Sequence, residues 1–371
     1  IREDYLHQIA FDEVDTYTSL PKQYGMLRLV LQFYHESKTA LEAGVPIAAI
    51  FALDIREKIA RKVAALPFNR YPDPLAKELS EKYAAVYGLD PACLTVGDGS
   101  DELISMINGC LLEKSDKVMT FSDDFSMYAF YSFLSEHPSL VLQKEEGFRI
   151  DVDKALDCIK RENVRAVIFS NPCNPTGRGL SRDEVRRLIT GTDALVVLDE
   201  AYMDFWDRSL LPEVAEYDNL IILKTLSKAF GLAGLRVGFA VANPALTRAL
   251  QAVKSPYNVG LLPQAAASAV LEEPGYLENC VRALIQSREE LETGLKALSA
   301  AHPDKIPAVY PSVTNFVLLS CPEADKVSAY LAGKGIAVRK FPGYLRISGG
   351  APEENRELLA ALKGYLKGEG N

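Results

Sequence analysis

Four short apolar runs lie in the middle of the chain, at residues 164–170, 194–198, 220–223 and 237–241. The first three end in polar or turn residues: Asn171-Pro172, Asp199 and Lys224-Thr225. Apolar runs of this length, bounded in this way, fit strands buried on both faces. Between the first two stands Ser181-Arg182-Asp183-Glu184, which has the form of a capping box. Val185, Leu188 and Ile189 follow it at helical spacing. Strands alternating with helices predict an α/β fold with a mostly parallel sheet covered on both faces. Ligands of such sheets bind beyond the carboxyl ends of the strands, where these polar residues fall.

The chain has 371 residues, more than one ordinary core needs. Residues 244–300 read as mostly helical, with Pro256 breaking the pattern. Strand and helix patterns then alternate over residues 314–365 as a second α+β unit. The expected division is a large domain at 51–260, and a smaller one from 1–50 and 261–371. Residues 1–50 look helical and carry no legible chemistry. No apolar run reaches the ~18 residues that span a bilayer. The N-terminal stretch is charged and mixed, so a soluble cytoplasmic protein is expected. The net charge of −9 and the lack of a basic run argue against a nucleic-acid partner. Six cysteines without a CxxC pair read as ordinary reduced residues, and four histidines without a ligand cluster give no zinc site.

The strand ends carry the chemistry. A lysine after a buried strand is most often a solvated loop residue. Lys228 differs, because Thr225 and Ser227 precede it and Arg236 follows. Two hydroxyls and a permanently charged fork can hold a phosphate. A lysine beside that site can condense with an aldehyde cofactor. Asp199, by itself equally a helix cap, can place a carboxylate against a pyridinium nitrogen. Tyr202 can then reach the ring's phenolic oxygen, and so can the amide of Asn174 in Asn171-Pro172-Cys173-Asn174-Pro175-Thr176-Gly177. The stretch from Gly97 to Glu102 begins like a dinucleotide fingerprint but has Glu102 where the third glycine belongs. Its turn still opens a helix, so Gly99, Ser100 and Asp101 can cradle the same phosphate.

Taken jointly and in this order, these motifs resemble those of the fold type I aminotransferases that depend on pyridoxal 5′-phosphate. Within that family the chain looks most like the histidinol-phosphate aminotransferases. The resemblance runs from about Asn69 to Leu362. It implies the family's fold, a mostly parallel large domain with a smaller α+β domain, and its transamination chemistry. It assigns the cofactor-bound lysine to Lys228, the pyridinium carboxylate to Asp199, and the phenolic-oxygen partners to Asn174 and Tyr202. The phosphate cup becomes Gly99, Ser100, Asp101, Thr225, Ser227 and Arg236. Phe125 matches the ring-stacking aromatic, with Tyr128 a second candidate because Asp123-Asp124 replaces the usual Pro-Thr or Pro-Ser. Tyr71 matches a tyrosine that reaches the neighbouring subunit's cofactor phosphate, which implies a homodimer. Arg346 matches the arginine that binds a substrate carboxylate, and Arg339 one associated with a substrate phosphate. Asn174 also borders the substrate.

Two departures from the family's pattern fall on the substrate side. The usual Asn-Glu-Asn-Pro-like motif is missing from residues 44–54, and the loop between Arg339 and Arg346 is short. The expected substrates are a small amino donor and a phosphorylated or aromatic partner. The leading expectation is exchange between histidinol phosphate with 2-oxoglutarate and imidazole-acetol phosphate with glutamate. Rivals are a threonine-phosphate decarboxylase-like enzyme, an aromatic aminotransferase and, least favoured, a non-catalytic regulator of the same fold.

Overall fold

The computed structural model describes residues 53–369, which belong to one compact unit. Seven strands form the main sheet: β1 (Leu94–Asp98), β2 (Lys117–Phe121), β3 (Ser139–Leu142), β4 (Val164–Ser170), β5 (Leu195–Asp199), β6 (Leu220–Thr225) and β7 (Val237–Ala242). Their spatial order is β1-β7-β6-β5-β4-β2-β3. All neighbours pair in parallel except β7, which runs antiparallel to both β1 and β6. The four apolar runs are thus β4 to β7, and each is buried on both faces. Val196, Leu198, Leu220 and Ile222 enter one core. Val197, Ile221 and Leu223 enter the core on the opposite face, as the two-residue period of a strand requires.

Helices close both faces. They are α1 (Leu53–Ala64), α2 (Lys77–Tyr87), α3 (Gly99–Met106), α4 (Met127–Leu134), α5 (Val152–Glu162), α6 (Arg182–Thr190), α7 (Pro244–Val253), α8 (Leu261–Leu271) and α9 (Tyr276–Ala301). The capping box at Ser181 and Glu184 forms and starts α6. The break at Pro256 falls between α7 and α8. Residues of α8 and the start of α9, to Cys280, pack in the same core as β5 and β6. From Leu291 onward the chain builds a separate core. That core lies against a second sheet of β8 (Phe316–Ser320), β9 (Arg339–Phe341) and β10 (Tyr344–Ser348), antiparallel in the order β8-β10-β9. Helices α10 (Ala324–Ala332) and α11 (Pro352–Gly364) complete it. Among the described residues no helix is long and apolar enough to cross a membrane. Residues 1–52, with most of the stretch where the missing motif was sought, lie outside the described residues.

Candidate active site

A cleft of about 530 Å³ opens at the carboxyl ends of the parallel strands. It is lined by Ser100, Asp101, Phe125, Tyr128, Asn174, Asp199, Tyr202, Thr225, Ser227, Lys228 and Arg236, with Ser170 and Ala201. Most of the residues singled out from the sequence therefore meet in one place.

One end of the cleft is built for an anion. The first turn of α3 presents backbone N–H groups that have no partner within the helix. Gly99 sits there at φ +72°, and a side chain at that position would meet the Arg236 guanidinium, whose Nη2 would lie 2.4 Å from the added Cβ. Arg236 stands just before β7, and its Nη2 lies 3.4 Å from Asp101 Oδ2. Thr225 Oγ1 donates to Ser227 Oγ at 3.0 Å and accepts from the Ser227 N–H at 3.1 Å. This places both hydroxyls at the end of β6 on the cleft wall. Guanidinium, hydroxyls and a helix N-terminus together suit a phosphate.

The other end is built for a polar ring. Asp199 closes β5 and is buried, with its Oδ2 accepting from the Tyr128 hydroxyl at 2.8 Å and its Oδ1 from the Ala201 N–H at 3.0 Å. Burial pushes its carboxyl up to about 6, although the hydrogen bond from Tyr128 pulls the other way. No basic side chain among the described residues is paired with it, so a cationic ring nitrogen would relieve that burial. Tyr128 spends its hydroxyl on Asp199, and its ring meets Phe125 edge-on at 5.5 Å. Asn174 accepts on Oδ1 from Arg346, which leaves its amide N–H groups as donors. Tyr202 packs edge-on against Phe316 at 5.1 Å, and Lys228 Nζ lies 5.3 Å from the Tyr202 ring centre. A phosphate cup, an aldehyde-seeking amine, a buried carboxylate and donors for a phenolic oxygen match the functional groups of pyridoxal phosphate.

The model of the class I and II aminotransferases matches residues 50–362. This chain belongs to that family. A histidinol-phosphate aminotransferase from Thermoanaerobacter pseudethanolicus is 39% identical over 321 residues, covering 84% of this chain and 89% of that protein. One from Clostridium kluyveri is 36% identical over 315 residues, covering 84% and 88%. Among solved structures, the histidinol-phosphate aminotransferase from Sinorhizobium meliloti, in complex with pyridoxal-5′-phosphate, superposes with a TM-score of 0.74 at 25% identity. It covers 85% of this chain and 87% of that one. The fold type I α/β architecture expected from the motifs is the architecture of this aminotransferase.

Four expected residues lie off the cleft wall: Gly99, which sits beside Ser100 against Arg236, and Arg346, Arg339 and Tyr71. Arg346 faces the cleft through Asn174, with its guanidinium 5.0 Å above the Phe316 ring. Arg339 stands directly opposite Arg346 across β9 and β10, so both project from one face of the small sheet. The short loop between them is a tight hairpin through Pro342 and Gly343, the latter at φ +76°. Tyr71 is 79% exposed and does not line this chain's cleft. The sequence reading missed Ser170, whose hydroxyl accepts from the Asn174 N–H at 3.2 Å. Its place at a strand end was the available signal. It also missed Tyr128 as the partner of Asp199, because 71 residues separate the two.

Proposed function

We propose that this aminotransferase carries pyridoxal phosphate on Lys228 and exchanges amino groups between histidinol phosphate and 2-oxoglutarate, giving imidazole-acetol phosphate and glutamate. The cross-strand pair Arg339 and Arg346 carries the substrate assignment. Two guanidinium forks on one face serve a substrate phosphate and a donor carboxylate in turn. The names of the relatives support the same choice. The cytoplasm is the fitting compartment for such a biosynthetic exchange.

Bound here, pyridoxal phosphate supplies an aldehyde that takes up an amine and a ring that accepts the electron pair of a broken Cα–H bond. Lys228 Nζ holds the cofactor at rest. The same amine, when free, would be the base positioned to take the α-proton of a bound amino donor. Asp199 keeps a negative charge facing the ring nitrogen. Asn174 and Tyr202 hold the phenolic oxygen. Arg236, Thr225, Ser227 and the first turn of α3 would hold the phosphate, and Phe125 would pack against the ring. Arg346 orients the carboxylate, and Arg339 the phosphate. Tyr71 completes the phosphate cup of a second copy, so the working unit is a homodimer.

A spectroscopic half-reaction screen tests this. Glutamate and histidinol phosphate, added separately, should each discharge the cofactor band near ~420 nm. Release of carbon dioxide from threonine phosphate would replace the assignment with a decarboxylase. Discharge by phenylalanine but not by histidinol phosphate would replace it with an aromatic aminotransferase. Lys228→Ala should abolish the band, and a yellow variant would overturn the cofactor's attachment there.

A further inference from the structure

The sequence pair Asp123-Asp124 departs from the family's pattern just before Phe125, and the structure gives that departure a purpose. The side chains of Asp124 and Lys144 are both 2% exposed, with Lys144 Nζ 3.5 Å from Asp124 Oδ2. Lys144 Nζ also donates to the carbonyl of Asp123 at 3.1 Å and to Cys173 Sγ at 3.1 Å. The Cys173 thiol donates to the same carbonyl at 3.3 Å. Asp123 adopts φ +49°, a left-handed conformation rare for a residue with a side chain. From this buried pair two links run to the cleft. Asp124 Oδ1 accepts from the Phe125 N–H at 2.8 Å. It also accepts from the Ser170 hydroxyl, which in turn accepts from the backbone N–H of Asn174 at 3.2 Å.

We propose that Asp124, held in place by Lys144, is a positioning residue that sets the Phe125 ring and, through Ser170, fixes the Asn174 backbone from which that residue's side-chain amide is aimed at the cofactor. This rests on the pyridoxal phosphate reading above. Lys144 balances the charge of this buried carboxylate, and removing either partner would leave the other's charge buried without compensation. The pair touches neither substrate nor cofactor and acts only through the residues that do. Its consequence is electronic as well as steric. A well-aimed Asn174 side-chain N–H favours the ionised phenolic oxygen and so lowers the pH at which the cofactor band titrates. A displaced one lets that midpoint rise.

The test is a pH titration of the visible band of the holoenzyme, which reads the cofactor without turnover. Asp124→Asn should raise the midpoint by about half a unit or more. Ser170→Ala, which cuts the link from Asp124 to Asn174 and leaves the Asp124–Lys144 pair in place, should shift it the same way. Asn174→Ala should give the full shift, and adding Asp124→Asn to it should change nothing further. Wild-type midpoints in folded Asp124→Asn and Ser170→Ala would overturn the proposal, as would additive shifts in the double variant. Should Asp124→Asn fail to fold, Ser170→Ala decides alone. The wild-type band and its loss in Lys228→Ala judge the cofactor reading separately. A band that is present but titrates unchanged in the variants removes only the positioning role.

Discussion

Asp199 and Glu200 are neighbours in the chain and face opposite sides of the sheet. Asp199 looks into the cleft. Glu200 is fully buried behind it and accepts from the Ser209 hydroxyl at 2.6 Å, while its second oxygen has no partner. Beside it, Lys224 Nζ pairs with Asp204 at 2.8 Å, and the Tyr87 hydroxyl donates to the same carboxylate oxygen at 2.8 Å. Lys224 is thus a structural cation on the far side of the sheet from the cleft-lining Thr225 that follows it. Burial pushes the Glu200 carboxyl up to about 7, although Lys224 pulls it down. Above its ordinary value of 4.5 the unfolded chain has released a proton that the folded chain keeps. Stability from this group is therefore full at low pH and falls as pH rises from about 4.5 to about 7. Glu200→Gln should remove that fall, so its stability relative to wild type should rise through this window by on the order of 1 kcal/mol per pH unit. Thermal unfolding of the cofactor-free proteins from about pH 5 to about pH 8 measures it. Parallel curves would show that Glu200 does not titrate there.

At the scale of elements, the phosphate cup depends on how closely two backbones approach. An added Cβ on Gly238, in β7, would lie 2.5 Å from the Gly99 carbonyl carbon and 2.7 Å from the Ser100 nitrogen. Both contacts are backbone, so the turn that opens α3 must move. Gly238→Ala should cost about 1–3 kcal/mol of stability. It should also weaken cofactor binding about tenfold or more, since the displaced N–H groups belong to the anion site. Gly234→Ala is the control. It lies in the loop before β7 with nothing within 4 Å of its added Cβ, and it should bind the cofactor as wild type does. This geometry also shows what the sequence could reveal. The strands β4 to β7 were legible because burial on both faces leaves a continuous apolar run. The antiparallel sense of β7 was not, because a short run looks the same in either direction. That Lys228 and Asp199 would face one cleft could be read because each follows the end of a buried apolar run. Lys144 was not legible, since its purpose depends on Asp124 and Cys173, which only folding brings to it.

For the whole molecule, the question is what covers Tyr71. Its ring stacks on Tyr257 at 4.6 Å, and Phe68 beside it is 65% exposed. The segment is held firmly for so exposed a stretch. Lys254 Nζ donates to the Pro74 carbonyl at 2.7 Å, and Gln264 Nε2 to the Asp73 carbonyl at 3.0 Å. Exposed aromatic rings on a fixed backbone mark a surface made to meet another protein. A second copy related by a two-fold axis would bring each Tyr71 to the other's cleft and bury both patches alike. Subunit mixing separates this from action within one chain. Lys228→Ala and Tyr71→Ala homodimers should each be nearly inactive. In a hybrid of the two, one cleft combines the intact Lys228 of one chain with the intact Tyr71 of the other, and the second cleft lacks both. Unfolding and refolding an equal mixture should therefore recover about a quarter of wild-type activity, half the dimers being hybrids with one working site each. If Tyr71 served its own chain's cleft, every site in every hybrid would carry one defect, and mixing would recover nothing.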